Sequence, residues 1–355
     1  MEVFTVEVPE GYSALVRGPA KVRCRGACRV FGGFFQGFEV PPHKQYPVEG
    51  PAVFELESGL LALARGSAIP RDWDMELEGV VALVGPPDSG KSSLSTYLLN
   101  THVARGRSVC VVDADVGQSD IGPPGFVAYS YTAAPAPHIS ELEPHDAYYV
   151  GSTNLQGLEE LLVAGVVWAV KRCQAHYPHL TVVNTPGWTT GRGIQLLRAV
   201  VDAVAPAVVN IGEALLPGRR VSKPAQVLPR GPQERKELRN LSYRRHVKIV
   251  DRVEISHDML TLCTWERGLN CPWGRYLPAD VAEPQKRGRE YAVPPHHLRH
   301  LFAGLYRGGR LAGYAIVEKF EPRPTAYVTA TDFDEVRIGK IRLDPHALEE
   351  LEPLP

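Results

Sequence analysis

Long apolar runs are missing from this chain of 355 residues. The longest clean one, Leu161 to Val170, is about half of the roughly 20 residues that a membrane-spanning helix needs. Lys171 and Arg172 close it. The amino terminus, Met1 to Glu7, is acidic and alternating, where an export signal is basic and then continuously apolar. These features predict a soluble, intracellular, cytoplasmic protein with no membrane partner. Cysteine is sparse too. Six cysteines scattered along the chain are too few for a disulfide framework. Cys24 and Cys28 could pair across a turn or form half of a zinc site. With no second Cys or His pair at ligand spacing nearby, they read as two ordinary strand cysteines. An excess of one charge is also lacking: 39 Lys and Arg face 40 Asp and Glu, for a net charge of -1. Any attraction for nucleic acid must therefore come from a local patch.

What is present divides the chain into three parts. Residues 1–70 alternate apolar and polar between turn residues, as in Val53 to Leu60, and predict a small antiparallel β domain. Residues 71–248 carry short apolar runs separated by helix-like segments, the pattern of βαβ units around a parallel sheet. Strands are expected at Val80–Val84, Ser108–Asp113, Ala147–Gly151, Leu180–Asn184 and Ala207–Ile211, and helices at Gly90–Ala104, Leu155–Ala175 and Gly193–Ala205. The fold class is α/β, with a doubly wound, mainly parallel sheet. Within this part, residues 217–248 hold ten Arg or Lys against Glu234 and Glu237 and read as a basic, helical, phosphate-facing segment. Residues 249–355 return to alternation and predict a β-rich domain.

Gly85-Pro86-Pro87-Asp88-Ser89-Gly90-Lys91-Ser92 fits the pattern Gly-x4-Gly-Lys-Ser/Thr directly after an expected strand and before an expected helix. The chemistry needs glycine where backbone approaches phosphate, free amides at a helix amino terminus, and a lysine that reaches the β and γ phosphates. Gly85, Asp88, Ser89, Gly90, Lys91, Ser92 and Ser93 are thus the candidate ATP-binding residues, with the Ser92 hydroxyl on magnesium. Val109 to Val112 lead into Asp113 and Asp115, two carboxylates at the end of an apolar strand, where open α/β sheets hold their ligands. One suits the magnesium shell and the other a base for an incoming hydroxyl; Asp113 is assigned to the metal and Asp115 to the base. Asn184 stands where the Asp-x-x-Gly switch of GTPases has its metal-linked Asp, and no asparagine is followed by lysine, which argues against guanine recognition.

Together these residues resemble the polynucleotide 5′-hydroxyl kinase family that includes the kinase subunits of pre-mRNA cleavage and pre-rRNA processing machinery and their archaeal relatives. The likeness rests on the loop Gly85–Ser92, on Asp-x-Asp-x-Gly-Gln as Asp113 to Gln118, and on Thr-x-Gly-Trp as Thr185 to Trp188. An Arg-x3-Arg lid as Arg235 and Arg239, and Gly151-Ser152-Thr153 after a strand, add to it. One departure is Thr189-Thr190-Gly191-Arg192, where the family typically has an apolar or basic pair before glycine. The resemblance implies transfer of the ATP γ-phosphate to the 5′-hydroxyl of RNA, DNA or both, with RNA-processing proteins as possible partners. It implies catalytic roles for Lys91, Asp115, Arg235 and Arg239, and acceptor contacts from Gln118, Thr153, Thr185 and Trp188. Competing expectations are an ATP-bound scaffold and a small-molecule kinase. His296, His297 and His300 read as surface structure, and Trp265 and Trp273 as packing residues.

Overall fold

The computed structural model describes residues 3–225, 227, 229–262, 274–278, 285–287, 290–293, 299–319 and 323–352. Trp265, Trp273, His296 and His297, with Cys263 and Cys271, lie outside the described residues.

Seven strands open the chain: β1 (Val3–Val8), β2 (Tyr12–Arg17), β3 (Ala20–Val30), β4 (Gly33–Val40), β5 (Gln45–Glu49), β6 (Ala52–Glu57) and β7 (Leu60–Arg65). They form one antiparallel sheet in the order β1-β6-β3-β5-β2-β7, with β4 on β3. Period-two alternation does the work, as expected for a half-buried strand. In β6 buried Ala52, Phe54 and Leu56 alternate with partly exposed neighbours, and Val6, Val16, Val22, Val30 and Val48 complete the core.

Seven more strands follow: β8 (Gly79–Val84), β9 (Val109–Asp113), β10 (Phe126–Thr132), β11 (Asp146–Tyr149), β12 (Leu180–Asn184), β13 (Ala207–Ile211) and β14 (Arg219–Val221). Helices α1 (Lys91–Val103), α2 (Glu159–Gln174), α3 (Arg192–Val204) and α4 (Pro232–His246) accompany them. The strands β9-β12-β8-β13-β14 lie side by side, and every pairing among them is parallel. Because both faces of β8, β9 and β12 are covered, their residues are apolar without alternation, as parallel strands usually are. Val81, Ala82, Leu83, Val84, Val109, Val111, Val112, Val182 and Val183 are all fully buried. Two strands, β10 and β14, were not expected from the sequence.

The chain separates into two compact units. The first holds residues 1–115, 129–143 and 170–238, and the second 116–128, 144–169 and 239–355. Aromatic packing explains why central segments belong with the carboxyl-terminal sheet. Within the second unit, the Phe126 ring packs on Tyr149, Phe302 and Tyr314 at centroid distances of 4.5, 6.0 and 5.5 Å. The Tyr149 hydroxyl donates to the Phe302 carbonyl at 2.6 Å, and the Tyr306 hydroxyl to the Ala147 carbonyl at 3.0 Å. The sheet of this unit is built on antiparallel pairings of Leu301–Arg307 with Arg310–Lys319 and Glu335–Arg342. Its core is Leu301, Ala303, Leu305, Ala315, Val317, Val336 and Ile338.

The cysteines correct an expectation. Cys24 pairs with Cys28, and Cys110 with Cys173, each as a disulfide with Cα atoms 5.8 Å apart, inside the span that a disulfide bridges. The second joins β9 to the end of α2, a proximity that comes from the fold and not from sequence spacing. Among the described residues no helix is long and apolar enough to cross a membrane.

Candidate active site

The first unit assembles the phosphate loop at the end of β8. Asp88 has φ 54° and Gly90 φ 98°, so the backbone turns through the left-handed region twice and directs amides into a concavity that suits anions. Side chains at the glycines would close it: a Cβ on Gly85 would lie 2.6 Å from Ser89 Oγ, and one on Gly90 3.1 Å from Pro224. Helix α1 begins directly at Lys91, with Gly90 as its amino-terminal cap. Ser92 and Ser93 are thereby placed in the first turn of α1, where unpaired amides and the helix dipole favour negative charge. The helix is buried on nearly all sides, and its hydroxyls find partners inside it: Ser95 Oγ donates to the Lys91 carbonyl and Thr96 Oγ1 to the Ser92 carbonyl.

Lys91 is 6% exposed, and its ammonium donates to the carbonyls of Gly85 at 2.9 Å and Pro86 at 3.0 Å. Burial pulls its pKa down, while the negative charges of Asp115, Asp88 and Asp113 oppose that. The lysine therefore lies within the electrostatic reach of the carboxylates at the end of β9, one strand beyond β12. Strand register accounts for this. Asn184 at the end of β12 is level with Asp113 of β9 and with Leu83 of β8, which brings the ends of the three strands together.

Asp113 is fully buried. Its Oδ1 accepts from Asn184 Nδ2 at 3.0 Å and from the Asp115 amide at 3.2 Å. Asp115 is only partly buried, just past the strand. Thr185 donates its hydroxyl proton to the Leu83 carbonyl at 2.7 Å, stitching β12 to β8. Gly187 lies against the phosphate loop, since a Cβ there would meet Pro87 N at 3.0 Å. Trp188 is half-buried and packs across the first turn of α3, where a Cβ on Gly193 would come within 2.5 Å of its Cγ. Gly193 is thus needed for the tryptophan's place, a dependence that sequence spacing does not reveal.

The basic segment contributes unequally. Helix α4 starts with Pro232, and Glu234 Oε2 accepts from the Gly231 amide at 2.8 Å, the return half of a capping box. Arg235 donates to Asp88 Oδ2 at 2.9 Å. Arg230, counted in the basic segment but not assigned a role from sequence, grips the same carboxylate through Nε at 2.8 Å and through its own amide at 3.1 Å. Burial would raise the Asp88 carboxyl, but the Arg230 charge and hydrogen bonds, with Arg235, outweigh it and hold the pKa below the usual value. Arg239 is in a different setting, in a two-pronged pair with Glu350 at 2.7 and 2.8 Å. Gln118 and Thr153 belong to the second unit, where Gln118 Nε2 donates to the Gly117 carbonyl at 2.6 Å and Thr153 is partly exposed.

The residues fit a nucleotide and a divalent cation. Among the described residues no cluster of three or more His, Cys, Asp or Glu could hold a metal alone. Magnesium, however, is ordinarily held by one or two protein oxygens together with substrate phosphates and water. Ser92 at the head of α1 and Asp113 supply such oxygens, and Asn184 Oδ1 is buried without a hydrogen-bond partner among the described residues. The buried Ser89 Oγ is similarly unpaired, beside the loop whose glycines leave room for phosphate.

Comparison with known proteins agrees with this geometry. Residues 85–248 match the family model described as mRNA cleavage and polyadenylation factor CLP1 P-loop. The chain is 30% identical over 266 residues to a polyribonucleotide 5′-hydroxyl-kinase of Thermococcus kodakarensis, across 72% of each chain. It is 31% identical over 146 residues to one of Pyrococcus furiosus, across 41% of each. A polynucleotide 5′-hydroxyl-kinase of Drosophila melanogaster is 28% identical over 40% of this chain and 15% of its own. With these last two, the matched stretch spans less than half of the relative. A solved structure of wild-type Clp1p with Pcf11p superposes with a TM-score of 0.70 at 12% identity, covering 96% of this chain and 98% of the other. The fold is a Clp1-like P-loop kinase fold with β-rich amino- and carboxyl-terminal parts.

Proposed function

Because the chain belongs to the family of polynucleotide 5′-hydroxyl kinases, we propose that it transfers the γ-phosphoryl group of ATP to the 5′-hydroxyl end of RNA, DNA or both. The observation that carries this is the strand register that sets Asp113, at the end of β9, level with Asn184 of β12 and through it with Leu83 of β8, just before the phosphate loop that holds Lys91. Donor and acceptor chemistry meet there.

In this reading the loop amides from Gly85 to Ser93, including Asp88, Ser89 and Gly90, receive the triphosphate. Lys91 leaves the Gly85 and Pro86 carbonyls for the β and γ phosphates. Ser92 and Asp113 hold magnesium, which when bound neutralises charge on the phosphate oxygens. Asp113 suits that task because two donors fix one of its oxygens. Asp115, partly exposed beyond the strand, takes the proton of the 5′-hydroxyl as that oxygen bonds to the γ-phosphorus. The bond from phosphorus to the β–γ bridging oxygen breaks, and ADP departs. Arg235 exchanges Asp88 for the transferring phosphoryl group, where a guanidinium fork matches its oxygens. Trp188 offers a ring face on which a base stacks, with Thr185, Gln118 and Thr153 as further acceptor contacts. Arg239, the second arginine of the lid pattern, braces α4 through its two-pronged pair with Glu350 while Arg235 does the work at the phosphoryl group. RNA is the favoured acceptor, on the names of the archaeal relatives, and RNA-processing proteins are the expected partners.

The same reading carries a doubly wound sheet. The step from β8 through α1 crosses β12 to reach β9, whereas the step from β12 through α3 crosses β8 in the opposite direction to reach β13. Parallel crossovers are right-handed, so α1 and α3 cover opposite faces, with the phosphate loop at the point where the direction reverses.

Incubation with γ-labelled ATP and an oligonucleotide bearing a 5′-hydroxyl should label that end. Lys91→Ala should lower labelling at least about 100-fold with an unchanged melting temperature. Transfer to mononucleosides as fast as to oligonucleotides, with indifference to salt, would point instead to a small-molecule kinase.

A further inference from the structure

We infer that Asn184 is a positioning residue for the divalent cation: its amide nitrogen fixes Asp113, and its buried carbonyl oxygen takes a place in the cation's hydration shell. The inference rests on the kinase reading for the presence of a metal nucleotide. The assignment itself comes from the side chain's own partners.

Asn184 is 1% exposed and sits between the strand that leads into the phosphate loop and the strand that carries the carboxylates. A carboxylate can only accept, so the side of the amide facing Asp113 must be Nδ2. The bond is 3.0 Å long. That fixes Oδ1 on the opposite side, where it has no hydrogen-bond partner among the described residues. A buried carbonyl oxygen left unpaired costs on the order of 1–3 kcal/mol. A polar group kept at that cost in the middle of a sheet is explained when a ligand or its water satisfies it. Backbone pairing leaves little freedom to turn away, because the Asn184 carbonyl accepts from the Ala114 amide at 2.9 Å.

The choice of amide over carboxylate also follows. An Asp at this position would have no hydrogen to donate and so would lose the bond that holds Asp113 in place. Asn184 supplies an acceptor oxygen and, in addition, a donor that keeps Asp113 oriented.

The test separates metal from nucleotide. Affinity for a non-hydrolysable ATP analogue is measured by calorimetry with Mn2+ and again in EDTA, and bound Mn2+ is counted by electron paramagnetic resonance. Asn184→Ala should weaken the Mn2+-dependent affinity about tenfold, within the range typical of residues that orient a metal ligand, with the metal-free affinity within about twofold of wild type. Exchanging the pair, Asp113→Asn with Asn184→Asp, retains the volume and the hydrogen bond and should recover most of the loss seen in Asp113→Asn alone. Equal losses with and without metal, an unchanged Mn2+ affinity, or an exchanged pair no better than the single variant would each overturn the inference. Because no polynucleotide is present, these results stand apart from the labelling assay. Wild type that binds the Mn2+ complex but labels no 5′ end defeats the kinase reading and leaves the role of Asn184 intact.

Discussion

The two halves of α4 carry the same residue four positions apart, in settings that could hardly differ more. Arg235, in the amino-terminal half, shares the phosphate-loop carboxylate of Asp88 with Arg230. Arg239, in the carboxyl-terminal half, is locked on Glu350 by two short bonds, and the Tyr243 hydroxyl reaches the same carboxylate at 3.3 Å. Burial of Arg239 disfavours its charge, but the Glu350 bonds more than compensate and its pKa is raised. Tyr243 is fully buried, which together with Glu350 drives its pKa far up, so its hydroxyl stays a donor. The difference teaches that a helical Arg-x3-Arg pair can divide its labour: one member faces an anion that ATP can replace, and the other faces an anion belonging to the protein.

Substitution at each position should split kinetics from stability. Arg235→Ala is expected to lower kcat by about 1,000-fold, the scale of an arginine that stabilises a transferring phosphoryl group, with little change in melting temperature. Arg239→Ala should leave Glu350 half-paired in a site where its side chain is 13% exposed. That costs about 2–3 kcal/mol in a denaturant melt, and kcat per folded molecule falls far less than in Arg235→Ala. Kinetic loss of similar size in both variants would show that Arg239 leaves Glu350 to join the triphosphate, and the division of labour would fail.

How much of this could be read from the chain depends on whether the partners are close in sequence. The phosphate loop is contiguous, so Gly85 to Ser92 announced strand, loop and helix together, and Asp113 and Asp115 followed from the strand before them. A helical element within residues 217–248 was expected, but the start of α4 at Pro232 and its Glu234 return cap were not read from the chain. The partners of Arg235 and Arg239 were not legible either, because Asp88 and Glu350 are remote in sequence from both. Strand β14 escaped notice because Arg219 and Arg220 have no apolar pattern, and only parallel register with β13 makes them a strand. Strand β10 escaped for the opposite reason: Phe126 to Ser130 are all buried, so its residues show no alternation. Cys110 and Cys173 looked ordinary since their separation of 63 residues says nothing of distance in space.

Acid should loosen the amino-terminal half of α4. The folded-state pKa of Asp88 is lowered, so its contribution is complete above the unfolded value of about 3.9 and fades as pH falls through the folded value beneath that. Wild type should exceed Asp88→Asn by roughly 1–2 kcal/mol at neutral pH, and the gap should close as the pH falls through that lowered folded value in paired denaturant melts. Hydrogen exchange over residues 232–238 should quicken in the same window. A gap that persists into acid would mean that Asp88 stabilises the loop by shape rather than by charge.

The smallest effect expected comes from the amino-terminal sheet. His43 has φ 59°, which turns its ring toward α4, with Nε2 2.6 Å from Glu237 and Nδ1 3.5 Å from Glu234. Arg17 reaches Glu234 as well, at 3.4 Å. These groups are partly exposed, so the pairs add little to stability, and His43→Ala should barely move the melting temperature. Its contacts nevertheless fall on the half of α4 that carries Arg235, on the residue before it and the second residue after it. A small shift of that half displaces the guanidinium from the phosphate it must meet, so the variant should raise KM for ATP about two- to threefold, the equivalent of less than 1 kcal/mol. Kinetics identical to wild type with a lower melting temperature would group His43 with Arg239 as a brace. The amino-terminal half of α4 would then be held as firmly as the other.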